Sequence, residues 1–214
     1  MYENYGLLIS GRWQSASDQE IISVVSPVTE QQIGTIPAAT REDIERTLVS
    51  CQQAGLEWRK TSAWSRAAIL RHTADLIRSR IDEIAKIMST ETGKPLVEAK
   101  AEAVASADQF EWYSEEGKRA YGQIIPSRLT DERLSVVYQP VGPCLALSAW
   151  NFPLLLPTRK IAAGLAAGCP VISRPASEAP GSCFALGQAL IDAGLPLMRG
   201  MNTLSKSIPN VYFK

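Results

Sequence analysis

Apolar positions change period several times along this chain, and each change marks an element. Over residues 5–36 they come in short runs. Residues 21–25 and 31–36 flank the turn signal Ser26-Pro27-Val28-Thr29, and Gly11-Arg12-Trp13 reads as a turn with an aromatic anchor. This predicts an N-terminal hairpin of structural value. Thr40 and Asp43 then read as a helix start, with a capping hydroxyl and an acid near the positive helix end. That helix runs to about Trp58, with Ile44, Leu48, Cys51 and Leu56 roughly in phase. Ser62 opens one long amphipathic helix through Ala68, Ile69, Thr73, Leu76, Ile77, Ile81, Ile84, Ile87 and Met88. Arg66, Arg71, Arg78, Arg80, Asp82 and Glu83 lie mostly on its other face and read as solvated. Gly93 and Pro95 punctuate. A third helix covers 96–116, through Ala101, Val104, Ala105, Asp108, Phe110 and Trp112.

From Ala120 the pattern turns to strands. Residues 121–126 and 134–138 flank a polar loop and predict a hairpin whose edges need covering. The most informative stretch is 138–178. An apolar strand, 144–148, precedes Trp150-Asn151-Phe152-Pro153; a helix over about 156–167 ends at Gly168; a second strand, 170–173, runs into Arg174-Pro175. Strand, crossover helix and strand make a βαβ unit, whose parallel strands need both faces covered. Asn151 stands where a buried strand hands over to a helix. It reads either as an N-cap, with Pro153 in the first turn, or as an amide facing a ligand at the carboxyl edge of the sheet.

The 214 residues suffice for one good core or two small ones, with 45% hydrophobic and 21% charged residues. Lys plus Arg and Asp plus Glu are 22 each, so no nucleic-acid or membrane partner is expected. Cys51, Cys144, Cys169 and Cys183 show no CxxC and no metal spacing, and read as reduced, mostly buried thiols. No secretory signal or membrane span is read, so a cytosolic location is the default. The lone histidine, His72, and the charges Glu115, Glu116, Lys118 and Arg119 read as structural or surface groups.

The 138–178 stretch resembles the aldehyde dehydrogenase superfamily. The resemblance rests on Trp150 to Pro153, Arg159-Lys160, Leu165 to Cys169, and Arg174-Pro175-Ala176-Ser177, in that order, and extends from the N-terminus to about Leu195. It implies an α/β fold: an incomplete Rossmann-like NAD(P)-binding domain with N-terminal helices and a projecting β-hairpin. The implied division is 1–119 for the N-terminal strands and helices, 120–140 for an oligomerisation-type hairpin, 141–196 for the first βαβ part and 197–214 for a divergent tail. That tail reads as leaving the sheet with few strands and an unpaired edge. The implied cofactor is NAD or NADP, held by Trp150, Asn151, Arg174, Pro175, Ala176 and Ser177.

Arg174 stands where relatives carry Lys. Ser177 stands where many NAD users carry Glu, and without that carboxylate a 2′-phosphate should be tolerated. Asn151 would stabilise an oxyanion. The run from Phe110 to Arg119, with Tyr121-Gly122 and Thr158-Arg159-Lys160, looks like the succinate-semialdehyde branch, in which Arg159 would clamp the distal carboxylate. The family reaction oxidises an aldehyde through a cysteine thiolate, with a Glu-activated water releasing the acid. None of the four cysteines matches that nucleophile, and the segment carrying it and the Glu base is not found in this chain. The expectation is an oxidoreductase-type chain inactive alone. The alternative is a truncated remnant or an interaction partner, either forming homo-oligomers or docking on a full-length relative through the 120–140 hairpin.

Overall fold

The computed structural model describes residues 1–196 and the backbone of 201–203. In chain order the strands and helices are β1 (Leu7–Ile9), β2 (Arg12–Gln14), β3 (Ile21–Val25), β4 (Gln32–Pro37), α1 (Arg41–Trp58), α2 (Ala63–Ser79), α3 (Ile81–Thr92) and α4 (Leu96–Glu116). A short 3-10 turn leads to β5 (Gln123–Pro126), β6 (Arg133–Val136), β7 (Cys144–Leu147), α5 (Leu155–Ala166), β8 (Val171–Arg174), α6 (Gly181–Asp192) and β9 (Met201–Thr203).

The main sheet has the order β2-β1-β9-β8-β7. β7, β8 and β9 run parallel, and β1 pairs antiparallel with β9. Three parallel strands, with β2 and β7 unpaired on their outer sides among the described residues, agree with the expected incomplete sheet and its open edge, although β9 and the N-terminal strands extend it to five strands. Backbone pairing by Met201–Thr203 joins the N-terminal strands to the βαβ unit, and β2 and β7 become the edges. The rest of the divergent tail, 197–200 and 204–214, lies outside the described residues. The first turn is also shifted. Ser10 and Gly11 both take positive φ, 52° and 72°, as a two-residue hairpin requires, and Arg12 and Trp13 belong to β2.

Alternate residues of the strands enter different cores. Val171 and Ala146 join the helical layer, with Trp58, Leu70, Ile77, Met88, Phe110 and Ile161. Ile172 faces the other way, with Leu7, Ile9 and Cys51. Both faces of β8 are therefore buried, as a central parallel strand demands. The hairpin of β5 and β6 is exposed along both strands.

The predicted long helix is two helices. Arg80 leaves helical geometry (φ −112°, ψ 16°) although the apolar period continues through Ile77, Ile81 and Ile84. Its guanidinium pairs with Asp192 of α6 at 2.7 Å, and Asp82 and Glu83 favour a new positive helix end. Arg66 is likewise not simply solvated: it donates to the carbonyls of Ala166 and Thr61, tying α2 to the end of α5. α5 stops as expected, with Gly168 left-handed (φ 84°) just beyond it.

Candidate functional site

The parallel pair β7–β8 sets the site. Its register puts Leu147 opposite Arg174, and the Ser148 N–H donates to the Arg174 carbonyl at 3.1 Å. The carboxyl ends of both strands therefore finish side by side. Residues 149–153 leave β7 at that edge and 175–178 leave β8 there. Pro175 and Ala176 are buried, Arg174 and Ser177 are half-buried, and Trp150 is 58% exposed. The six residues expected at a cofactor thus share one sheet edge. Arg159 lies in the first turns of α5 and is exposed, as is Lys160. Thr158 is fully buried, and its hydroxyl has no hydrogen-bond partner among the described residues.

The structure contradicts one reading of Asn151. It is not the cap of α5, which starts at Leu155 with Leu154 in the cap position and no side-chain cap. The helix end is served from another element. Glu102 of α4, its side chain 1% exposed, accepts from the N–H groups of Leu154 and Leu155 through Oε1, each at 3.0 Å. A carboxylate suits this place because the first N–H groups of a helix lack internal partners and carry partial positive charge. Its Oε2 pairs with Lys94, whose Nζ donates to the Asn151 carbonyl at 3.0 Å and lies 4.3 Å from the centre of the Phe152 ring. The Asn151 side-chain amide is exposed and unpartnered among the described residues.

Motif matching passed over Lys94 and Glu102. The signal was the carboxylate itself, sitting in the buried stripe Ala99, Glu102, Ala103, Ser106, Ala107 and Phe110. A second such group is Glu91 of α3. Its Oε1 accepts from Tyr2 Oη and from the Gly181 N–H, both at 2.6 Å, at the start of α6.

Three of the four thiols are poor nucleophiles. Burial pushes Cys51 and Cys183 up to about 12, and burial also raises Cys144, with Cys169 beside it. His72 is exposed on α2. No cluster of three or more His, Cys, Asp or Glu among the described residues is arranged to hold a metal, and no helix there is long and apolar enough to cross a membrane.

At this edge a cation, Arg174, ends β8 and a hydroxyl, Ser177, follows it; an exposed aromatic follows β7, and no acidic side chain stands at 177, a donor set compatible with the hydroxyls of a ribose. The N-terminus of α5 does not fit a pyrophosphate in the same way, since the Glu102 carboxylate already occupies it.

Comparison with known proteins gives the family and the fold. Residues 13–199 match the pattern of the Aldehyde dehydrogenase family. The chain is 41% identical over 189 residues to a succinate semialdehyde dehydrogenase of Acinetobacter baylyi, covering 88% of this chain and 39% of that one. Against the NADP(+) succinate-semialdehyde dehydrogenase of Escherichia coli it is 40% identical, with the same coverage. Among solved structures, an E. coli NADP-dependent enzyme superposes with a TM-score of 0.92 at 39% identity, over 94% of this chain and 42% of that one. A succinate-semialdehyde dehydrogenase from Burkholderia pseudomallei gives 0.91 at 37% identity, over 95% and 42%. The chain thus spans about two fifths of the length of the relatives it matches.

Proposed function

We propose, because the chain belongs to the aldehyde dehydrogenase family, that it furnishes the adenosine side of an NAD(P) site and the oxyanion amide for oxidation of an aldehyde to its acid. The substrate in this reading is a semialdehyde such as succinate semialdehyde. One observation carries it: Arg174 and the 149–153 turn leave two paired parallel strands at the same carboxyl edge, where ligands of open α/β sheets bind.

The roles follow from chemistry. Asn151 offers an unused amide N–H, the kind of donor that stabilises an aldehyde oxygen as it gains negative charge. Arg174 and Ser177 would hold the adenosine ribose, with Pro175 and Ala176 shaping the wall and Trp150 flanking it. Uncharged Ser177 leaves room for a 2′-phosphate, which a carboxylate would repel. Arg159, exposed on α5, is the clamp for a distal carboxylate. The cofactor, when bound, supplies the hydride acceptor. We expect no turnover from the chain by itself: none of the four cysteines stands at the nucleophile position that the family resemblance implies, and burial raises three of them. Four free thiols suit a reducing compartment, the cytoplasm.

A second reading is favoured by the β5–β6 hairpin. Both strands are exposed, Ile124 to 87%, and an isolated hairpin of this size is marginal. In that reading the hairpin at 120–140 docks on a second copy or on a full-length relative. Three measurements separate the readings. NADP titration followed by tryptophan fluorescence should saturate; an unchanged signal removes the cofactor reading. Incubation with succinate semialdehyde and NADP should produce no NADPH; measurable production refutes the expected inactivity. Light scattering of the chain alone, and mixed with a full-length relative, should show a larger species; strictly monomeric behaviour in both removes the docking reading.

A further inference from the structure

We infer that Lys94 and Glu102 are positioning residues that fix the turn 150–155 and thereby present the Asn151 amide. The inference rests on the reading of Asn151 given above. Between them these two side chains hold the turn at three backbone groups and one ring. Glu102 accepts the N–H groups of Leu154 and Leu155, at 3.0 Å each. Lys94 donates to the Asn151 carbonyl at 3.0 Å and covers the Phe152 ring at 4.3 Å. They also bind each other, nearly out of water: the Lys94 side chain is 13% exposed and that of Glu102 1%.

No side chain at the cap position of α5 does this work. Leu154 cannot cap α5, and Asn151 spends its carbonyl, not its amide, on the anchor. Charge-assisted bonds hold geometry more tightly than neutral ones. Placing the anchor on the backbone leaves the amide free to face a ligand. The anchor itself is fixed from behind. Lys94 follows Gly93, which is left-handed at φ 73° and closes α3, while Glu102 projects from the buried face of α4. The 150–155 turn is thus referenced to the helical layer and not only to its own strand. A group that must meet a reacting atom within a fraction of an ångström needs such support.

The test uses the chain as it stands, in two variants read by NMR and hydrogen exchange. Glu102→Ala removes the acceptor of both N–H groups. The double variant Lys94→Met with Glu102→Gln keeps an acceptor for α5 and leaves no unpaired charge in the core, while it removes the Lys94 contacts to the Asn151 carbonyl and the Phe152 ring together with the ion pair. In the first, exchange at Leu154 and Leu155 should rise at least tenfold over wild type. In the second, the side-chain amide of Asn151 and the Trp150 indole should lose order while amides of α2 and α6 keep wild-type protection. Unchanged signals at 150–155, an equal rise throughout the chain, or loss of the fold in the neutral double variant would each overturn the inference. NADP titration of the wild-type chain is a separate readout. Its failure would remove the proposed function and leave the exchange result standing.

Discussion

Replacing Glu91 with Gln should flatten the dependence of stability on pH. Glu91 is 3% exposed on α3, and it joins Tyr2 at the N-terminus to the first N–H of α6. Burial pushes its carboxyl up to about 7, against the pull of hydrogen bonds from Tyr2 and the Gly181 and Ser182 N–H groups. In the unfolded chain the same group titrates at about 4.3. Between these values the folded state holds more protons than the unfolded one, so stability falls as pH rises. The contribution is complete below about pH 4, fades through the interval, and is gone above about pH 7. The full separation of roughly 2.7 pH units is worth about 3.7 kcal/mol, of which the roughly 2 units between pH 5 and pH 7 carry about 2.7 kcal/mol. For a chain of this size the latter is roughly 5–11 °C in melting temperature. Gln carries no charge at any pH, and its oxygen can still accept from Gly181. Thermal melts by circular dichroism from pH 5 to pH 8 should therefore show wild type falling more steeply than Glu91→Gln by that amount. The other titrating groups are common to both proteins and cancel in the difference. Parallel curves, agreeing to about 1 kcal/mol throughout, would refute the reasoning.

Asp43 should behave with the opposite sign. Burial raises it, but bonds from Thr40 and Ser17 outweigh burial and hold it below the ordinary carboxylate range. Its contribution is therefore present above that range and lost only as pH falls through the depressed value. Asp43→Ala should cost about 2–3 kcal/mol by urea unfolding, from the lost capping box and the stranded Ser17 N–H. Gly168→Ala should cost about 1–2 kcal/mol by the same assay, because φ is 84° and a Cβ would stand 2.9 Å from Pro140 Cγ. Ser177→Glu should weaken NADP relative to NAD at least tenfold in the fluorescence titration, roughly 1.4 kcal/mol, and an unchanged ratio would count against the role given to residue 177.

The sequence was legible where the physics is local. Thr40 with Asp43 forms the predicted capping box, and β7, α5 and β8 stand where an apolar run, a left-handed glycine and a second apolar run put them. It was illegible where a distant partner decides. The apolar period of α2 and α3 runs straight through Arg80, so only the contact with Asp192 reveals the break. Met201-Asn202-Thr203 carries no strand pattern; it is a strand because β8 and β1 both offer an edge. Asn151 looked like a cap because Asn caps helices, but the acceptor for α5 lies on α4, 52 residues earlier in the chain from Leu154. The shared edge of Trp150, Asn151 and Arg174 was legible from the βαβ order, whereas the pair that anchors it was not.

One arrangement recurs at both helices of the βαβ region. α5 follows β7 and begins on Glu102; α6 follows β8 and begins on Glu91. Helix N-termini at the carboxyl edge of a parallel sheet are ordinarily the anion sites of such a fold, because their N–H groups point outward and carry positive charge. Here each is filled by an internal carboxylate from the helical layer. A phosphate brought to either end would displace a buried acid, leaving Glu102 with Lys94 alone or Glu91 with Tyr2 alone, and would break the packing that fixes the helix. The turn after β7 also lacks glycine, running Ser148-Ala149-Trp150-Asn151-Phe152-Pro153, so no backbone cradle replaces the lost helix end. In the proposed reading, recognition of a dinucleotide at this edge would therefore fall to side chains, with Arg174, Ser177 and Trp150 as the candidates. The N-terminal helices thus complete the two helices of the βαβ region through Glu102 and Glu91, and in the proposed reading ligand contact is left to the residues of the sheet edge.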